Sequence, residues 1–245
     1  MLFWGIELFT HLFIDSFNAY GTGLFEPFSH YRVSFDTMFV ADPLFSIWPF
    51  AALVALMVLK TGDRKRKTWA VAALALCGIY LLLGIVFKLV IDKDVNEDIS
   101  NKRMVITRHF TTPTPLNNLL WYVVAECDSG YYIGYRSVFD KKPAIDYHFA
   151  RRNDSLLSLC EHKDDVARLV RFSKGYYTIN NQHDTLIFND LRFGEIAGWE
   201  EPKPDFVFHY YLQYPGNNDM VVQRGRFAKW DKRLLLSFIS RIKGI

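Results

Sequence analysis

A histidine and an aspartate four residues apart, His11 and Asp15, stand in an otherwise apolar helical run, and Glu7 precedes them by the same interval. That spacing puts the three side chains on one helical face. Imidazole and carboxylate are donors that zinc and similar divalent ions accept, and a further carboxylate can orient the histidine. Inside a bilayer each ionisable group costs roughly 2.5–3.5 kcal/mol on insertion scales, so each is expected to have a partner or a task. Asp36 and Asp42, six residues apart near the ends of apolar segments, are the acidic groups that could complete a site. The expectation is a metal site with His11, Asp15 and Asp42 as ligands and with Glu7 or Asp36 as the catalytic carboxylate or a further ligand. The ion would lower the pKa of a bound water toward about 7 and supply hydroxide. The same spacing also suits a plain His11–Asp15 hydrogen bond. Asp42, standing before Pro43, is equally a good helix cap.

The elements that must position these groups are read from hydropathy. Thr68 to Ile91 is apolar apart from Lys88, which can reach the interface, and exceeds the roughly 20 residues needed to cross a bilayer. Pro43 to Leu59 is a second, shorter apolar span, and Leu2 to Phe17 is a partial one. The chain begins inside a hydrophobic helix with no secretory signal pattern, so a longer gene product is one expectation. The loop Lys60-Thr-Gly-Asp-Arg-Lys-Arg-Lys67 is short and basic, and such loops stay cytoplasmic. That orientation places the 20–36 segment and everything after Asp92 on the outer side. Tyr20-Gly-Thr-Gly23 reads as a tight turn, since it lacks the lysine and strand–helix setting of a phosphate loop.

The expected division is a transmembrane helical domain over residues 1–92 and a soluble α+β domain over 93–245, with a polar boundary at Asp92 to Asp98. In the second part, Thr111 to Asn118 is proline-containing and not helical. Leu119–Glu126 and Tyr131–Val138 read as a hairpin around Asp128-Ser-Gly130. Asp164–Phe172 reads as a helix, and Tyr176–Ile179, Thr185–Phe188 and Phe206–Tyr214 as strands. Trp230–Ile242 reads as an amphipathic helix whose basic face is either solvated or laid on anionic headgroups. The fold class is therefore a membrane α-helical part with two or three apolar helices plus a small α+β domain with an antiparallel sheet.

Among 245 residues, 50% are hydrophobic and 22% charged, with a net charge of +3 and no basic stripe, so nucleic acid is not an expected partner. Cys77 reads as a small buried hydrophobe; Cys127 and Cys160 could pair if their domain lies outside the cytoplasm. His30 reads as a surface-loop residue. His109, His148, His162, His183 and His209 are scattered through the soluble part without a hydrolase motif. Asn117-Asn118 and Phe188-Asn-Asp-Leu-Arg-Phe193 could bind something polar, although loop and strand roles explain them as well.

Taken in order, Thr10-His-Leu-Phe-Ile-Asp15, Tyr20-Gly-Thr-Gly23, Pro27-Phe-Ser29, Phe35-Asp-Thr and Ala41-Asp-Pro43 resemble the bacterial membrane-bound, metal-dependent hydrolase family (YdjM-like, LexA-regulated). Phe110-Thr-Thr-Pro-Thr-Pro-Leu-Asn-Asn-Leu-Leu-Trp121 is similar to longer members. The resemblance implies a bacterial inner-membrane hydrolase, distantly related to zinc-dependent phospholipase C and nuclease-type folds, with His11 and Asp15 matching its H-x-x-x-D and Asp36 and Asp42 its acidic positions. It implies a lipid-like or phosphoester substrate and membrane lipid as partner. This chain lacks the family's earlier HRG-x-[ST]-H-S segment. The other reading is non-enzymatic: a membrane-anchored binding or stress-related module in which His11 and Asp15 are structural polar groups.

Overall fold

The structure, a computed structural model, describes residues 2–160, 163–182, 185–201, 204–212, 221–223, 227 and 230–245. Its contacts divide the chain into two units, residues 1–92 with 112–121 and residues 93–111 with 122–245.

The first unit holds helices α1 (Leu2–Asp15) and α2 (Pro43–Val58) and the apolar part of α3 (Arg64–Asn101). Of the two or three membrane helices expected, α3 alone among the described residues is long and apolar enough to cross a bilayer, and α2 is apolar but shorter. Leu74, Leu82 and Leu89 of α3 stay exposed, which water disfavours and a hydrocarbon phase accepts. α2 starts as its sequence indicates. Pro43 occupies the first turn, and Asp42 Oδ1 accepts the Leu44 N–H at 2.9 Å.

Between α1 and α2 the chain is held by its own backbone. The N–H groups of Phe35 and Thr37 donate to the carbonyls of Ser16 and Phe17, both at 2.8 Å, and Thr22 and Val33 exchange bonds at 2.8 and 2.9 Å. Gly84 of α3 permits a close approach there, because a Cβ would stand 2.7 Å from the Thr37 carbonyl oxygen. In the loop before residue 120, Asn117 Oδ1 accepts the N–H groups of Leu119 and Leu120, each at 2.8 Å, while its Nδ2 donates to Pro115 O at 2.9 Å. Asn117 thus shapes its own loop.

The polar stretch at Asp92 to Asp98 does not end α3. The helix continues to Asn101, with i, i+4 ion pairs Lys88–Asp92 at 3.8 Å and Asp98–Lys102 at 2.9 Å supporting it across the change of composition.

Two four-stranded sheets follow. The first has the order β1 (Arg108–Pro113), β2 (Leu120–Cys127), β3 (Gly130–Ser137), β4 (Tyr147–Arg151). The hairpin falls where expected, β2 and β3 being joined by Asp128 and Ser129 alone. β1 claims Thr111 to Pro113 from the stretch read as irregular, and β4 is a strand that sequence reasoning missed. After a 3-10 turn (Asp154–Leu159) and helix α4 (Lys163–Phe172), the second sheet runs in chain order, β5 (Tyr177–Gln182), β6 (Thr185–Glu195), β7 (Phe206–Tyr211), β8 (Val221–Gln223), antiparallel throughout. The expected extension of β7 to Tyr214 lies partly outside the described residues.

The core of this unit packs Val166 of α4 and Cys160 against Tyr177, Ile179, Leu186, Phe188 and Leu212. Cys127 and Cys160 are not joined to one another. β6 runs seven residues past its expected end at Phe188; two of its three charged residues neutralise each other there, Arg192 Nη2 donating to Asp190 Oδ2 at 2.7 Å with both side chains fully buried. The Phe188–Phe193 segment is therefore part of a strand. The C-terminal helix α5 (Lys232–Ile242) is capped by Asp231, which accepts the Leu234 N–H at 2.7 Å, and buries Leu234 and Phe238. Its Arg241 binds the Asp140 carboxylate at 2.8 Å and the Tyr135 carbonyl at 2.6 Å, so part of the basic face works inside the unit.

Candidate functional site

The residues singled out at the amino terminus are only partly brought together. His11 Nε2 and Asp15 Oδ2 lie 3.2 Å apart on α1, with side chains 72% and 43% exposed. Glu7 lies one turn earlier and is exposed. Asp36 is buried with a left-handed backbone, and its carboxylate meets the Ser34 hydroxyl, which also lies 2.9 Å from the Asn18 carbonyl. Asp42 uses both carboxylate oxygens, one on the Leu44 N–H and the other accepting the Tyr80 hydroxyl at 2.5 Å. Its helix-cap role is therefore the one the geometry displays. Among the described residues, no three His, Cys, Asp or Glu side chains converge. Two donors fall one short of the three protein ligands of a catalytic zinc site, so His11 and Asp15 do not fit that ion by themselves. The Tyr20–Gly23 segment is a turn: Gly21 has φ +66°, and a Cβ there would stand 2.8 Å from the Val33 carbonyl oxygen.

A different constellation forms in the second unit. β4 supplies His148, β3 supplies Tyr135 and the end of β6 supplies Glu195. His148 Nε2 lies 2.8 Å from Glu195 Oε1, and the Tyr135 hydroxyl donates to Glu195 Oε2 at 3.1 Å. Gly198, in the turn after β6, has no room for a side chain, since a Cβ would stand 2.3 Å from both Glu195 Oε2 and the Tyr135 oxygen. Burial pushes the Glu195 carboxyl above its usual range, against the lowering effect of the His148 and Tyr135 contacts.

Tyr135, His148 and Gly198 line a cavity of about 590 Å³ whose wall also includes Tyr147, Lys142 and Trp199. Trp199 is held by Phe238 of α5, ring centres 4.7 Å apart, and by Trp230 at 5.9 Å. A buried carboxylate that engages one imidazole nitrogen fixes the ring and leaves its other nitrogen to exchange a proton or hydrogen bond with whatever occupies the cavity.

Sequence reasoning noted His148 only as one of several scattered histidines and missed Glu195 and Tyr135. The pairing spans 47 positions, and no local spacing announces it. Of the other histidines, His209 is buried in β7 and His30 pairs with Glu26 at 2.9 Å. His162 and His183 lie outside the described residues.

One chain thus carries a helix long and apolar enough to cross a bilayer, with exposed apolar side chains, and a two-sheet α+β unit with its own core and cavity. Residues 1–91 match the family described as YdjM inner membrane protein, so the resemblance read from His11, Asp15 and the motifs after them is shown over that range. No curated protein and no solved structure matches the chain.

Proposed function

We propose that this chain is a multi-pass inner-membrane protein whose α+β domain, on the extracytoplasmic side, binds a small ligand in the cavity beside His148. The observation that carries the reading is the imidazole held by a buried carboxylate at the wall of a cavity of about 590 Å³. The basic loop Lys60–Lys67 supports the orientation. Two measurements test it. An alkaline phosphatase fusion after Ile245 should be active, and a cytoplasmic result rejects the topology. A fragment screen by saturation-transfer NMR on the full chain should return ligands that His148→Ala and Trp199→Ala both lose. Fragments indifferent to both substitutions reject the cavity.

A second reading, a metal-dependent hydrolase acting on a lipid-like or phosphoester substrate, draws on the family match over residues 1–91 and on the His11–Asp15 contact at 3.2 Å. It requires at least one donor beyond that pair, with Glu7, Asp36 or Asp42 rearranging to provide it. Metal content of the full-length protein, with and without His11→Ala, decides it: equal zinc stoichiometry in the two removes His11 from any site.

A further inference from the structure

We propose that the connection between α1 and α2 is a lipid-inserted element, its apolar side chains laid among phospholipid acyl chains rather than in water. Two contacts set its level. Asp42 accepts the Tyr80 hydroxyl at 2.5 Å, and Gly84 meets the Thr37 carbonyl so closely that no Cβ would fit. Tyr80 and Gly84 both stand on α3, inside its apolar stretch 68–91. At a rise of about 1.5 Å per residue, Tyr80 lies about 16 Å and Gly84 about 10 Å before the end of that stretch at Ile91. With α3 across a hydrocarbon layer of about 30 Å, both levels fall within the layer.

The side chains are distributed as that level requires. Ser16, Asn18, Thr22, Asp36, Thr37 and Asp42 are buried, while Leu24, Phe25, Phe28, Tyr31 and Phe35 stay exposed, Phe28 to 95%. Water disfavours that inversion and hydrocarbon favours it. Irregular backbone at bilayer depth must also bond internally. Here Thr22 and Val33 bond each other, and the N–H groups of Phe35, Thr37 and Met38 reach the carbonyls of Ser16 and Phe17. Asn18 Oδ1 accepts the Tyr20 N–H at 2.9 Å, and Arg32 donates to the carbonyls of Tyr20 and Gly21 at 3.0 and 2.7 Å. The ionisable side chains on either side of Phe28, Glu26 and His30, meet at 2.9 Å, so each has a partner. Contact with a second copy inside a bilayer would draw on small residues that let backbones approach. This surface presents aromatic rings and a leucine instead, which acyl chains can surround.

The test puts the photoreactive residue p-benzoylphenylalanine in place of Phe25 or of Phe28, two exposed rings whose exchange leaves the buried polar groups untouched. The full chain is reconstituted into nanodiscs of phosphatidylethanolamine and phosphatidylglycerol and irradiated. Each variant should gain the mass of one phospholipid. Mild alkaline hydrolysis of the cross-linked peptide should then leave a fatty acid attached, because the new bond is to an acyl carbon. Adducts that keep glycerophosphate in place of the fatty acid would set the rings at the headgroups and overturn the proposal. A covalent dimer as the main product, or no lipid adduct at either position, would overturn it as well.

Discussion

Replacing Gly198 by alanine probes the Glu195–Tyr135–His148 arrangement from its tightest point. The added Cβ would stand 2.3 Å from Glu195 Oε2 and 2.3 Å from the Tyr135 oxygen. A relaxed carbon–oxygen contact is near 3.4 Å, so both groups must retreat by about 1 Å. Their own hydrogen bond is already 3.1 Å long and does not survive that movement. A hydrogen bond to a charged group contributes about 1.5–3 kcal/mol, and overpacking adds about 1–3 kcal/mol. A loss of about 4 kcal/mol follows, and for a unit of this size it lowers the melting temperature by roughly 10 °C. The assay is thermal unfolding followed by tryptophan fluorescence, with Trp199 as the neighbouring reporter. Adding Tyr135→Phe removes one of the two obstructing oxygens, so the double variant should be less destabilised than the sum of the single ones by about 1 kcal/mol. A Gly198→Ala melt within about 2 °C of the parent, or strict additivity in the double variant, would refute the reasoning.

The carboxyl of Glu195 is held above its ordinary range by burial, so the native state keeps this proton to a higher pH than the unfolded chain does. The resulting stability is fully present at low pH and is lost as pH rises through the raised value, at up to about 1.4 kcal/mol per pH unit. Urea midpoints for Glu195→Gln should lack that slope, and parallel curves for parent and variant would count against it. Arg136 is buried between Asp94 at 2.7 Å and Asp140 at 3.3 Å, and its replacement by alanine should cost about 3–5 kcal/mol in the same melts. Tyr80→Phe removes the 2.5 Å bond to the α2 cap Asp42 and, in detergent solution, should speed proteolysis of the α1–α2 connection just before the cap, whereas unchanged cleavage would mean that the cap holds alone. His11→Ala, which breaks an exposed pair, should change stability by less than about 1 kcal/mol.

Legibility followed the range of the interactions. α2 and α3 were visible because composition and one Asp-Pro step define them locally. The β2–β3 hairpin was visible because Asp128 and Ser129 interrupt two aromatic runs beside Gly130. What escaped was set by distant partners. α3 runs through its charged stretch because Lys88, Asp92, Asp98 and Lys102 pair at helical spacing, which composition alone reads as a boundary. β4 is only five residues long with no fully buried position, and its place is fixed by pairing with β3. The amino-terminal acids were legible as types, but two carry local tasks: Asp42 caps α2 and Asp36 sits in a left-handed turn against Ser34. The His148–Glu195 pair joins strands of different sheets, and no window of sequence contains both.

The Asp190–Arg192 pair in the middle of β6 carries a consequence for how the second sheet finds its alignment. Two positions apart on one strand, the two charges stay matched to each other in any alignment, but a single alignment seals both from water with the guanidinium 4.8 Å from the Phe172 ring centre. A slip by a single residue would turn every β6 side chain to the opposite face, separating the guanidinium from its aromatic cover at a cost of several kcal/mol. The strand thereby favours one pairing with its neighbours over those displaced by a residue.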